Sequence, residues 1–447
     1  MDALLHVVQT INSYLSDYVL IILLIGAGLF FSIRTRFVQV RCFGEGVRRM
    51  FGGFSLKGKK QAGGMSSFQA LATAVAAQVG TGNIVGACGA ILVGGPGAIL
   101  WMWLIAFFGM ATNYAEAVLA QTTRVVDADG RVHGGPVYYI KEAFKGRFGT
   151  FLAGFFGVAI ILALGFMGCM VQSNSIASTC NTAFGIPLWV MGALVVVAAG
   201  LVFFGGTSRI AAVTEKVVPF MALIYLVGGV TFGIFAAISQ GAKRGLFSNE
   251  AGMGSTPHAH ALANVKNPHE QGTVAMLGVF IDTFVVVTIT ALVVITMLYT
   301  GDGALAQGAY EGIDKTNMAQ LAFSGVMGEG LGGAFVAVCL LFFAFSTIIS
   351  WNLFAKINVE RLFGKKAVPV FCALALALIF TGSLLSNDLV WELADMFNQL
   401  MVLPNVLALV ALSGTVVACV EAYAGKCGDG EPEDGEPEVS ARGALLD

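Results

Sequence analysis

The sequence predicts an all-α polytopic membrane protein, on three observations. The chain of 447 residues is 57% hydrophobic and 12% charged, about half the charge usual for a soluble protein. Several apolar runs exceed the roughly 20 residues that a helix needs to cross the hydrocarbon core. Basic residues are gathered into some connections between those runs and are nearly absent from others. A net charge of −2, with no basic, aromatic-interleaved patch, gives no reason to expect nucleic acid.

Ten candidate spans follow from the apolar runs: 16–33, 67–93, 96–121, 148–172, 187–204, 217–239, 273–299, 331–357, 367–385 and 392–418. Residues 1–15 lack Lys and Arg. A cleavable signal peptide is therefore not expected, and the first run reads as a true span. Loop 34–60 carries eight Lys and Arg, from Arg34 to Lys60, and loop 122–147 carries five. The N-terminus and 173–186 carry none. The alternation places the N-terminus outside a cell membrane. Run 217–239 breaks the alternation, because Lys216 and Lys243 flank it on both sides. Its 23 residues make one crossing of about 34 Å, not two. The run is a re-entrant hairpin turning at Gly228-Gly229, an exception to the charge rule, or the mark of a missing span. Residues 1–423 read as one transmembrane domain. The tail 424–447, with GDGEPEDGEPE, reads as a disordered cytoplasmic extension.

The eight cysteines form no CxxC and fall mostly in apolar runs, as small packing residues do. His258, His260 and His269 have no supporting Cys or carboxylate pair nearby in sequence, so no metal site is expected there. No HExxH or GxSxG occurs within the spans, and no enzymatic activity is expected.

Residues 76–87, AAQVGTGNIVGA, place glycines and polar side chains inside an apolar run. In lipid this is tolerated only as a tight packing seam or as a broken helix beside a cavity. Gly82 and Gly86 make a GxxxG, which packing alone explains. Gln78, Thr81 and Asn83 are not needed for packing. A break at Gly80 and Gly82 would expose N–H groups at the start of one half-helix, suited to a carboxylate. It would also expose C=O groups at the end of the other, suited to Na⁺.

Other polar residues within spans are functional candidates by their cost. Asp282, beside Thr283, is either a site residue or a helix-packing acid. Glu116 either snorkels, forms a structural ion pair or acts in function. Glu392 and Asp395, opening the last run, read as solvated. Ser346 and Thr347 either bond back to their own helix or supply oxygen ligands to a hard cation. Gln172, Ser173 and Asn174 end the fourth run as an outer cap or as the wall of a polar cavity.

Nine stretches in order now carry a resemblance: VGTGNIVGA (79–87), GGPGAILWMW (94–103), NYAEA (113–117), GGPVYYIKEA (134–143), VVPFMA (217–222), KRGLFSNEAGMGSTP (243–257), LGVFIDT (277–283), FAFSTI (343–348) and LPNVLAL (403–409). Together they resemble the alanine or glycine:cation symporters, the sodium:alanine symporter family, over residues from about 10 to 420. The resemblance implies a leucine-transporter-like inverted repeat with an extra N-terminal helix. It implies Na⁺-coupled symport of a small neutral amino acid, alanine or glycine, with H⁺ as the other possible coupling ion. It places the substrate at the break, Thr81, Gly82 and Asn83, and the polar residues within the spans add Gln172 and Asp282 as the polar wall or amine partner. It places Na⁺ between Ser346, Thr347 and the carbonyls of Ala76 and Val79. The FSNEAG block would cap or gate the inner face without touching substrate. The resemblance also implies a departure. Between VVPFMA and KRGLFSNEAG the chain is short by roughly a span and a loop, and GGVTFG (228–233) stands where a second broken helix belongs. The alternative reading is therefore a non-transporting or leaky relative, or a truncated gene product.

Overall fold

The computed structural model describes residues 2–52, 65–127, 130–204, 212–214, 216–221, 223–225 and 248–423. The expected hairpin turn at Gly228-Gly229, the GGVTFG stretch and the acidic tail lie outside these residues. Among the described residues six helices are long and apolar enough to cross a membrane, and a bent pair makes seven. The six are Ala98–Thr122, Gly146–Phe184, Pro268–Leu298, Leu331–Phe363, Lys365–Leu384 and Asn387–Ala411. The bent pair is Ser67–Gln78 with Gly82–Gly94. Ile22–Arg34 and Leu188–Phe203 are shorter apolar helices. The only strands among these residues are pairs of two residues, β1 (Met65–Ser66) beside β4 (Ala263–Asn264) and β2 (Val125–Val126) beside β3 (Val132–His133).

Local chemistry sets the helix ends. Ser66 and Gln69 form a reciprocal capping box that starts Ser67–Gln78. Asn267 caps the helix that opens with Pro268, where the missing proline N–H costs nothing. Two expected boundaries differ. The fourth run does not end at Gln172: its helix continues to Phe184 and stops at Gly185, which is left-handed at φ 66°. Gln172, Ser173 and Asn174 therefore sit inside a helix, where Gln172 accepts from Thr81 N and Asn174 donates to the carbonyls of Gly382 and Leu385. The last run divides at Leu412 into Asn387–Ala411 and Ser413–Tyr423.

Close approaches bring the helices together. An added Cβ on Gly272 would lie 2.6 Å from the Tyr114 ring, and one on Gly168 would run into the Trp351 ring. Small residues thus seat large rings across helix contacts. Outward, Ile22, Phe151, Leu201 and Val370 are each more than 60% exposed, as expected of faces that meet lipid rather than water. None of the seven described cysteines forms a disulfide, and all are buried.

Candidate substrate and cation site

The first half of the broken span ends at Gln78, and the second half runs at 48° to it. Val79, between them, leaves helical geometry at ψ 90°. The second half begins with a wide π turn, Gly82–Gly86. Two further π stretches, Ile161–Gly168 and Phe280–Val287, occur in the helices that carry Gln172 and Asp282. Such turns are rare and concentrate at functional sites.

The expected residues converge on this break. Thr347 Oγ1 lies 2.9 Å from the Ala76 carbonyl, 3.4 Å from that of Val79 and 3.0 Å from that of Phe343. Thr347 thus both bonds back along its own helix and meets the two carbonyls across it. Ser346 does only the first. Its hydroxyl donates to Phe343 O at 2.9 Å and lies 3.5 Å from Met221 Sδ. Gly80 marks a close approach at the break: a Cβ there would stand 2.5 Å from Thr347 Oγ1 and 3.1 Å from Gln172 Oε1.

The freed N–H groups have partners. Gly80 N donates to Asn83 Oδ1 at 2.9 Å, and Thr81 N donates to Gln172 Oε1 at 3.1 Å. Asn83 Nδ2 donates to Asp282 Oδ1 at 2.6 Å, and Thr290 donates to Asn83 O at 2.8 Å. Asp282 Oδ2 accepts from Ser248 at 2.8 Å and from Thr283 at 2.9 Å. The Thr81 hydroxyl is fully buried and has no hydrogen-bond partner among the described residues. A buried donor left unmade costs about 1–3 kcal/mol, so it stands as an open valence at the mouth of the second half-helix.

Several contacts were not legible in the sequence. Asn249, in the FSNEAG block, accepts from Gln78 Nε2 through its carbonyl at 2.8 Å and donates to Thr283 at 3.2 Å. The block reaches the break itself through Gln78 and Asp282. Glu116 does not snorkel. It is fully buried and accepts from Gly252 N at 3.2 Å, Gly254 N at 2.9 Å and Asn405 Nδ2 at 2.7 Å. Glu250 holds φ 56°, strained for a non-glycine residue. Its carboxylate accepts from Trp351 Nε1 and Ser255 Oγ, both at 2.5 Å. Glu392 is half-buried rather than solvated, and accepts from Asn12 at 2.5 Å. The signal that could have found the Glu116 contact was the pair of glycines at 252 and 254, both at positive φ. They can turn successive N–H groups toward one acceptor.

The family model described as the sodium:alanine symporter family matches residues 1–235 and 227–436. The chain is 36% identical to the sodium/alanine symporter AgcS of Methanococcus maripaludis, over 93% of this chain and 96% of that one. It is 38% identical to the putative sodium/proton-dependent alanine carrier protein YrbD of Bacillus subtilis, over 93% and 92%. It is 35% identical to the probable sodium/glutamine symporter GlnT of the same organism, over 94% and 90%.

Proposed function

This chain belongs to the sodium:alanine symporter family, and from that premise we propose that it couples Na⁺ entry to uptake of alanine or glycine. At the coarser level it is a cation-coupled amino-acid transporter of the membrane and not an enzyme. The observation that carries the finer reading is the meeting of Thr347 Oγ1 with the Ala76 and Val79 carbonyls, at 2.9 and 3.4 Å. Hard cations take oxygen ligands, and the carbonyl end of an interrupted helix supplies them with a favourable dipole. Na⁺ would take those three oxygens, with Ser346 turning from Phe343 O to complete the set.

The substrate carboxylate would then face the start of the second half-helix, at Thr81 and Gly82. It would satisfy the Thr81 hydroxyl and displace Gln172 Oε1 from Thr81 N. Asn83 and Asp282 act as positioning residues, since both already brace the break by several hydrogen bonds. The reading includes leucine-transporter-like repeats, with the broken span and its neighbours rocking to alternate access. The named relatives support alanine, and one supports glutamine as a competitor to be tried. One is named for protons as well as sodium, so the coupling ion must be tested directly.

A second reading has its own support. The family match comes in two pieces that overlap at 227–235, where the sequence looks short of a span. That favours a leaky or non-transporting relative whose site survives. Equilibrium binding tests whether the site works, and gradient-driven uptake separates a transporter from a relative in which only the site survives. Labelled alanine should bind the purified protein in Na⁺ and not in choline, and equal binding in both would refute Na⁺ coupling.

A further inference from the structure

The three histidines that do not form a site in sequence separate in the fold. His258 pairs with Asn358 at 2.8 Å, and His260 pairs with Gln271 at 2.8 Å. His269 instead meets two residues from near the N-terminus, Cys42 and Glu45. Cys42, Glu45 and His269 each offer one ligand atom, and those atoms lie within 4.8 Å of one another. Glu45 Oε2 is 3.2 Å from His269 Nε2. We propose that these three side chains form a binding site for a divalent transition metal of the zinc class.

The donor set selects the metal. A thiolate, an imidazole and a carboxylate suit Zn²⁺ and its neighbours, whereas Mg²⁺ and Ca²⁺ demand oxygen. Around tetrahedral zinc the ligand atoms stand roughly 3.4–3.6 Å apart, so the three donors close on an ion by small side-chain rotations. Three protein ligands leave the fourth position to water.

The surroundings orient each ligand. Arg49 pairs with Glu45 Oε1 at 2.7 Å, which leaves Oε2 for the ring nitrogen. Arg49 also pairs with Glu270 at 2.8 Å, fixing its own position. Tyr114 OH is 2.6 Å from His269 Nδ1. When Nδ1–H donates to that oxygen, Nε2 presents its lone pair to the metal, the outer-shell arrangement common to zinc histidines. The Tyr423 ring stacks on the imidazole at 6.3 Å, and Cys42 and His269 are 2% and 1% exposed. Bound metal would fasten the helix Phe43–Gly52 to the first turn of the helix that carries Asp282.

The test uses the full-length protein in detergent, with Co²⁺ as the probe and Zn²⁺ as competitor. The expected result is one Co²⁺ per chain, with a thiolate-to-cobalt charge-transfer absorption that Zn²⁺ abolishes. Cys42→Ser should remove that absorption. His269→Asn and the near-isosteric Glu45→Gln should each weaken Co²⁺ binding by about tenfold or more. Absence of the absorption in the unaltered protein would overturn the site. So would its persistence in Cys42→Ser, or unchanged affinity in Glu45→Gln. None of these readouts depends on transport.

Discussion

Asn83 and Asp282 join the broken span to the 268–298 helix through a hydrogen bond of 2.6 Å, Asn83 Nδ2 to Asp282 Oδ1. The same amide holds Gly80 N through its oxygen. One side chain therefore closes the break on itself and ties it to its neighbour.

Removing that amide should be costly. Asn83→Ala leaves Gly80 N and one Asp282 oxygen short of a partner, each worth about 1–3 kcal/mol when buried. Alanine uptake should fall by at least about tenfold while the protein still reaches the membrane. Uptake assays normalised to surface protein check this, and Asp282→Asn should produce a milder loss.

Gly80 tests the closeness of the site. Its Cβ would intrude between Thr347 Oγ1 at 2.5 Å and Gln172 Oε1 at 3.1 Å. Gly80→Ala should abolish Na⁺-dependent alanine binding, since both partners are buried and neither can retreat far. Equilibrium binding on the purified variant is the measurement.

Glu116 latches the 248–256 block to the 387–411 helix. Its three donors come from the 248–256 block and from Asn405. Asn405→Ala removes a hydrogen bond to a buried carboxylate, worth about 1.5–3 kcal/mol. The thermal midpoint in detergent should drop, and Asn405→Asp should drop it further by placing two acids together.

Acid should destabilise the protein through its buried histidines. Burial pushes His258 down to about 4 and His260 down to about 3 from an ordinary value of 6.5. The unfolded chain therefore binds protons that the folded chain refuses between pH 6.5 and those values, and stability falls as pH is lowered through that window. A thermal-midpoint series from pH 7 to pH 4 measures the slope. His260→Gln should flatten it.

The break was legible because Gly80, Gly82 and Asn83 violate the pattern of the run around them. Thr347 was legible as half of a hydroxyl pair. The sequence could not say that a helix turn of about 100° per residue sends Thr347 to the carbonyls and leaves Ser346 against Met221. Gln172 looked terminal because its polar neighbours interrupt hydropathy, yet its helix carries on to Phe184. The partners of Glu116 and His269 lie more than a hundred residues away in sequence. No local pattern reports such distances.

Uptake into proteoliposomes tests the central claim most directly, with labelled alanine inside an imposed inward Na⁺ gradient. Alanine should accumulate, and the accumulation should collapse when the gradient is dissipated. Thr347→Val should raise the Na⁺ requirement by about tenfold or more, the loss of one hydrogen-bonding ligand worth about 1.4 kcal/mol. Equilibration without accumulation, or a Thr347→Val variant with unaltered Na⁺ dependence, would contradict it.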